Sequence, residues 1–366
     1  MTERKDKTIA DIKEVCGSAD KLTIIITQVD PDALGAAMLF RYYLISFLGK
    51  EPGDISIVYS GTVSHSQNRA IINMFELDTI MTALTERFSK ADNEAWILID
   101  SNLLDDKRID LDLEQTDIII DHHRCSSKNK DIIYYLSSVG SACTLVTEIL
   151  MAEDKPIEEW PEDGKEAAIT LASIGIRNDT HNFTSEMTKD RDWEAFSAIR
   201  RFIDNKTAQD IENYNLTERD YSIMGKVLET RRVSGTKVIS SAGYIHPEDA
   251  DQLAESCNFL IRDAQISLAV VWGIVIEKGI VRLSLRSRDL SLNLDTKIKE
   301  VFGENKGGAK QSRGYGEGGA VMDIRDLIPS KINQEFKGDL ENLLSNVINQ
   351  FVSQMLRQDI EDTETV

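Results

Sequence analysis

Along the first 150 residues, short unbroken runs of isoleucine, leucine and valine alternate with longer stretches of helical spacing. The runs at 22–28 (LTIIITQ), 54–60 (DISIVYS), 94–101 (EAWILIDS) and 116–123 (TDIIIDHH) have no polar face. Strands of that kind are buried on both sides, as in a parallel sheet covered by helices. Between and after them, 33–48, 140–152 and 162–178 read as helices. This βαβ rhythm predicts an α/β fold with a parallel sheet flanked by helices. From 186 to 231 the pattern turns polar and helical. Beyond it, 236–245, 266–279 and 280–287 alternate with turn signals and predict a smaller α/β domain with a mixed sheet. A glycine-rich stretch at 302–320 reads as a loop, and the chain from about 329 reads as a helix with an acidic end. The expected organisation is an N-terminal domain over 1–185, a helical connector over 186–231, a second domain over 232–345 and a tail over 346–366.

Composition adds exclusions more than assignments. Among 366 residues, hydrophobic side chains make up 41% and charged ones 28%, as in ordinary globular proteins. No apolar run approaches the roughly 20 residues that span a bilayer. Cys16, Cys125, Cys143 and Cys257 are scattered without CxxC spacing, which argues against a disulfide framework and a zinc knuckle. A cytoplasmic location is the expectation, since the N-terminus also lacks an apolar signal-peptide core. The net charge of −20 disfavours long duplex nucleic acid as a partner. With 62 acidic residues, no single carboxylate is informative by type; only its placement is.

That placement is regular. In open parallel sheets, ligands bind outside the carboxyl ends of the strands. The first predicted strand ends in Asp30 and Asp32, the third in Asp100, and the fourth in Asp121, His122 and His123. Asp179 stands where a predicted helix enters a loop. Each has an ordinary alternative: Asp32 as N-cap of the 33–48 helix, Asp100 as an Asx-turn former, the histidines as a surface pair, Asp179 as a loop carboxylate. Together the alternatives weaken, because carboxylates gathered at one edge repel and raise one another's pKa. A divalent cation removes that cost. Carboxylates mixed with histidine suit Mn²⁺ or Mg²⁺ better than structural zinc. Two such cations about 3.5–4 Å apart would activate a water and neutralise phosphoryl oxygens in phosphoester hydrolysis.

The order DPDALGAA (30–37), LIDS (98–101), DHH (121–123) and GIRNDTHNF (175–183) resembles the four-motif N-terminal domain of the DHH phosphoesterase superfamily. The later segment VRLSLRSRDLSLNL, followed by the glycine-rich stretch, looks like the family's DHH-associated domain, which grips substrate. The resemblance implies a metal-dependent hydrolase with two Mn²⁺ or Mg²⁺ ions. Asp32, Asp100, His122 and Asp179 would hold one ion, while Asp30 and Asp100 would hold the other, with Asp100 bridging. His123 would approach the scissile phosphate, and Asp121 would orient the histidine pair.

Two departures stand out. Many members carry a histidine early in the first motif, where this chain has Ile26 and Gln28, and Gln28 offers only a neutral amide oxygen. The second domain also lacks the usual Gly-Gly-Gly-His stretch. Lys310 and Arg313, with Arg286, Arg288 and Lys306, form a basic cluster as substitute phosphate ligands. Gly307, Gly308, Gly318 and Gly319 would let backbone N–H groups approach. The expected substrate is a short single-stranded oligonucleotide or a small nucleotide, cleaved in nano-RNase or exonuclease fashion, with Tyr315 a candidate base-stacking group. Polyphosphate is the alternative substrate, and a binding protein with a decayed metal site is the alternative of another class. A homodimer is compatible with either.

Overall fold

The computed structural model describes residues 2–357 apart from 62, 64, 126–127, 290, 313–314 and 329–333. Arg313 therefore lies outside the described residues. The chain divides into two compact units, Met1–Asn215 and Leu216–Val366.

The first unit is built on a six-stranded sheet of β1 (Lys21–Ile26), β2 (Ile55–Tyr59), β3 (Met81–Ala83), β4 (Glu94–Ile99), β5 (Ile118–Asp121) and β6 (Ile133–Leu136). Its order is β3-β2-β1-β4-β5-β6 and every pair is parallel. Burial on both faces explains the unbroken apolar runs. Leu22, Ile24, Ile26, Ile97, Ile99, Ile118 and Ile120 enter one core. The alternate residues Ile25, Trp96, Leu98 and Ile119 enter another. The two strands not foreseen, β3 and β6, are short and lie at the sheet edges. β1 has β2 on one side and β4 on the other, so the chain reverses its direction of sheet-building between β1 and β4. Such a switch point opens a crevice at the strand ends.

Helices α1 (Thr2–Ser18), α2 (Pro31–Ser46), α3 (Ser66–Met74), α4 (Ala142–Met151), α5 (Lys165–Asp179), α6 (Asp190–Ile199) and α7 (Asn205–Glu212) complete this unit. α2 starts two residues earlier than the apolar pattern suggests. Its N-cap is Asp30, whose Oδ1 accepts from Ala33 N at 2.9 Å, and Pro31 occupies the first helical position. Asp32 is thus inside the first turn, not the cap. α2 and α5 pack backbone to backbone. A Cβ on Gly175 would lie 2.5 Å from Cys143 Sγ and 2.9 Å from both Asp32 Cα and Pro31 O. A Cβ on Gly35 would lie 2.8 Å from Cys143 Sγ and from Leu171 O.

The second unit contains α8 (Glu218–Thr230), β7 (Arg232–Ser234), β8 (Lys237–Tyr244), α9 (Gln252–Leu260), β9 (Leu268–Val275), β10 (Ile280–Ser287), α10 (Leu294–Phe302), β11 (Gly307–Ser312), β12 (Tyr315–Asp323) and α11 (Gln334–Arg357). Its sheet is mixed, in the order β11-β12-β10-β9-β8-β7. Only β8 and β9 run parallel. The glycine-rich stretch is not a loop but the hairpin β11–β12. Its glycines admit a helix: a Cβ on Gly318 would sit 2.5 Å from Ile298 Cδ1 of α10, and one on Gly307 would strike Ile298 and the Gly319 carbonyl.

Candidate metal centre

Asp30 and Asp32 follow β1, Asp100 follows β4 and Asp121 ends β5, so neighbouring parallel strands deliver them to one edge. Asp32 is fully buried on the N-terminus of α4. Its carboxylate accepts from Ser141 Oγ (2.5 Å), Ala142 N (2.6 Å) and Cys143 N (3.0 Å). The positive end of a helix is a natural seat for a carboxylate. From α5, Asp179 arrives four residues after Gly175 and on the same helical face. The close approach of α5 to α2 at Gly175 is what brings Asp179 towards Asp32.

His122 is at the middle of this group. Its Nδ1 is 3.2 Å from Val139 O. A carbonyl can only accept, so Nδ1 carries a proton and Nε2 is the ring nitrogen turned inward. Nε2 lies 3.3 Å from Asp100 Oδ1, 3.5 Å from Asp179 Oδ2 and 3.8 Å from Asp32 Oδ2. Both Nε2 and Asp100 Oδ1 are buried without a hydrogen-bond partner. Leaving such atoms unsatisfied is costly. Burial raises Asp100 well above its ordinary pKa, and the Asp30 and Asp32 charges add to it. Asp179 is raised in the same way, by burial and then by Asp32, Asp30 and Asp100. Burial alone would lower the His122 imidazolium, but Asp100, Asp32 and Asp179 outweigh it and push its pKa up to about 10. A divalent cation fits this donor set. It satisfies both orphaned atoms and relieves the carboxylate repulsion, and the ligand-capable atoms of Asp32, His122 and Asp179 lie within 4.8 Å of one another.

A second group of converging atoms comes from Asp100, Asp121, His122 and His123. Asp121 is buried, and its Oδ1 is 2.8 Å from His123 Nδ1. It also accepts from His123 N at 3.2 Å and from Asn102 Nδ2. Burial would raise this carboxyl, but the His123 contacts hold it below the usual range. Asp121 thus orients His123, whereas His122 is oriented by the Val139 carbonyl. His123 is exposed at the edge of the group.

The backbone is strained around these residues. Of the six described non-glycine residues with positive φ, four are here: Asp100 (57°), His181 (49°), Asn182 (55°) and Phe183 (65°). Each left-handed residue costs about 1 kcal/mol or more. Phe183 is clamped by stacking on Trp193, 4.0 Å between centroids, and edge-on against Phe196. Asn182 N donates to Arg177 O at 2.6 Å and Phe183 N to Thr180 Oγ1 at 3.1 Å.

In the second unit, Arg286 is buried, with Nε donating to Asn258 Oδ1 at 2.6 Å and lying 3.7 Å from Glu317. Lys310 is exposed on β11 opposite Glu317, and Arg288 is exposed just after β10. Tyr315 is half-buried, its hydroxyl 3.4 Å from Asn258 Oδ1. Gly308 and Gly319 pair across the hairpin.

Sequence reasoning missed Val139, Asn102, Arg108 and the α4 N-terminus as parts of this edge. Ser141 before an apolar helix carries an N-cap signature. The Val139 contact uses a main-chain carbonyl, and Asn102 and Arg108 stand in segments without periodicity, so those three left no signal.

The model of the DHH family N-terminal domain matches residues 22–176. An uncharacterized protein of Methanocaldococcus jannaschii is 29% identical over 294 residues, covering 79% of this chain and 56% of its own length. The chain thus spans little more than half of that relative. Among solved structures, an exopolyphosphatase-related protein from Bacteroides fragilis is 16% identical, with 94% of this chain and 97% of that one covered and a TM-score of 0.61. A putative family II inorganic pyrophosphatase of Methanococcus jannaschii is 18% identical over 72% of this chain and 87% of its own, at a TM-score of 0.40. The match to the DHH family N-terminal domain thus runs from β1 into α5, and the DHH sequence at 121–123 stands at the end of β5 within it.

Proposed function

We propose that the chain is a divalent-metal-dependent hydrolase of phosphoester bonds in short oligonucleotides or small nucleotides. One observation carries the reading: His122 Nε2 and Asp100 Oδ1, buried and orphaned 3.3 Å apart, sit among the carboxylates of Asp32 and Asp179. Asp32, Asp100, His122 and Asp179 would hold the ion, with Asp30 beside them, and Mn²⁺ or Mg²⁺ suits that donor set. The bound cation supplies Lewis-acid polarisation of a phosphoryl oxygen and acidifies water. The Val139 carbonyl keeps His122 in the tautomer that presents Nε2. Asp121 keeps His123 aimed through its contact with Nδ1, so His123 Nε2 is placed to donate a hydrogen bond to a phosphoryl oxygen in the transition state. Recognition of the rest of the substrate is assigned to the second unit, through Arg288, Lys310 and Arg313. Arg286 supports that surface from its bond to Asn258.

Polyphosphate is the second reading. It needs the same charges and no stacking surface, and Tyr315, the stacking candidate on the hairpin, is half-buried against Asn258. Purified protein with Mn²⁺ or Mg²⁺ is to be assayed on pApA, 3′-phosphoadenosine phosphate, cyclic di-AMP and polyphosphate. Turnover of pApA above polyphosphate supports the first reading, and the reverse supports the second. Silence on all four with no metal retained overturns both and leaves a non-catalytic binding protein.

A further inference from the structure

Gln28 lies in the short segment between β1 and α2, two residues before Asp30, and its amide oxygen is engaged. Arg108 Nη1 donates to Gln28 Oε1 at 2.7 Å. The same guanidinium is locked onto Asp106, with Nε 3.0 Å from both oxygens and Nη2 2.6 Å from Oδ2. Asp106 also accepts from Arg108 N at 2.9 Å, and Ser60 Oγ donates to the Arg108 carbonyl. The Asp106 side chain is only 4% exposed. Burial would raise its carboxyl, but the Arg108 bonds hold it below the usual range. Arg108 is therefore fixed at backbone and side chain, yet its side chain remains 46% exposed. Long surface arginines are seldom held at so many points, because immobilising one costs rotamer entropy. Asp30, for its part, uses Oδ1 to cap α2. Neither group of converging ligand atoms among the described residues includes it.

We propose that the Asp30 side of the centre is served by the fixed guanidinium of Arg108, acting on a phosphoryl oxygen of the substrate, in place of a second tightly held cation. The inference rests on the metal-centre reading above. A guanidinium fork matches the oxygens of a phosphate group and stays charged at any working pH. A second divalent ion beside it would meet like-charge repulsion and an amide oxygen already committed to Arg108. The Gln28–Arg108–Asp106 chain thus does two things. It withdraws the amide from metal binding and aims a positive charge where a phosphate anion arrives.

Two measurements on the full chain test this. Equilibrium dialysis with Mn²⁺ and elemental analysis should show one tightly bound ion per chain. Isothermal titration of inorganic phosphate into the Mn²⁺-loaded protein should show affinity falling about tenfold in Arg108→Ala. Because that variant leaves Asp106 buried and unpaired, Arg108→Lys is measured beside it. Lysine keeps a charge against Asp106 but cannot reach Asp106 and Gln28 together, so its phosphate affinity should fall about three- to tenfold. Two Mn²⁺ ions of similar affinity, or unchanged phosphate affinity in Arg108→Lys, would overturn the inference alone. No bound Mn²⁺ at all overturns the metal-centre reading and this inference with it.

Discussion

The two six-stranded sheets treat their charged residues in opposite ways. In the second unit, several charged groups near the hairpin are answered locally. Arg286 donates to Asn258, Lys299 pairs with Asp295 at 2.6 Å, and Asp295 accepts from Ala309 N. At the edge of the first sheet, Asp100 Oδ1 and His122 Nε2 are buried without a hydrogen-bond partner, while burial and then neighbouring carboxylates push Asp179 up. Folding thus tolerates repulsion in one place while avoiding it in the other. Unrelieved charge is the better marker of chemistry than charge alone, since Arg286 stood out in the sequence as much as Asp100 did.

The contrast breaks most completely at Asp100. Asparagine tolerates the left-handed backbone there, so Asp100→Asn should fold while losing metal and roughly 10³-fold in turnover. Circular dichroism and elemental analysis separate this from unfolding, and retained Mn²⁺ with normal turnover refutes the ligand assignment. Gly175→Ala comes next. The added methyl meets Cys143 Sγ and the α2 backbone, costing about 1–3 kcal/mol, or some 2–4 °C of Tm for each kcal/mol. Mn²⁺ affinity should fall too, because Asp179 is carried away from Asp32. A variant as stable and as metal-avid as the parent would disconnect the helix seam from the centre.

The third expectation concerns pH in the metal-free protein. The His122 pKa is raised from 6.5 to about 10, so its contribution to stability is complete below 6.5 and is lost as pH rises through 10. Asp100 and Asp179, also raised, act in the same direction, each contributing fully only below its unfolded value. Stability should therefore decline between pH 6.5 and 10, and Mn²⁺ affinity should climb as the His122 proton is given up. Denaturant midpoints across that range check it; a His122→Gln variant with the same slope would remove His122 as the cause. The smallest effect belongs to the answered sheet's exposed cations. Lys310→Ala or Arg288→Ala should lower kcat/KM about two- to fivefold with kcat little changed, in keeping with exposed charge. A loss as large as that of Asp100→Asn would erase the distinction between the sheets.

Much of the first unit was legible because a strand buried on both faces has little choice of residue. Ile24–Ile26, Ile97–Ile99 and Ile118–Ile120 announced themselves, and the carboxylates fell at their ends. The hairpin was not legible, since glycines at 307, 308, 316, 318 and 319 erase the period-two pattern that marks a strand. At 307, 308 and 318 the reason is a helix lying over them, which no local pattern reveals. The cap of α2 was not decided by the sequence, because Asp30 and Asp32, two residues apart, are equally good caps by type. What decided between them was the α4 N-terminus, more than a hundred residues away. Arg108, eighty residues from Gln28, lies beyond the same horizon.

Cys143 has a practical consequence. Its thiol is wedged where α2 meets α5, 3.2 Å from the Asp32 carbonyl, and burial pushes it well above its ordinary pKa. A thiol reacts as the thiolate, so Cys143 is silent towards alkylating reagents while the helices stay together. Cys125, only half-buried, is the internal contrast that reacts first. The rate at which Cys143 becomes labelled is therefore a clock for the opening of the α2–α5 seam. Run with and without Mn²⁺, that clock reads how firmly the ion clasps the two helices, with no substrate needed.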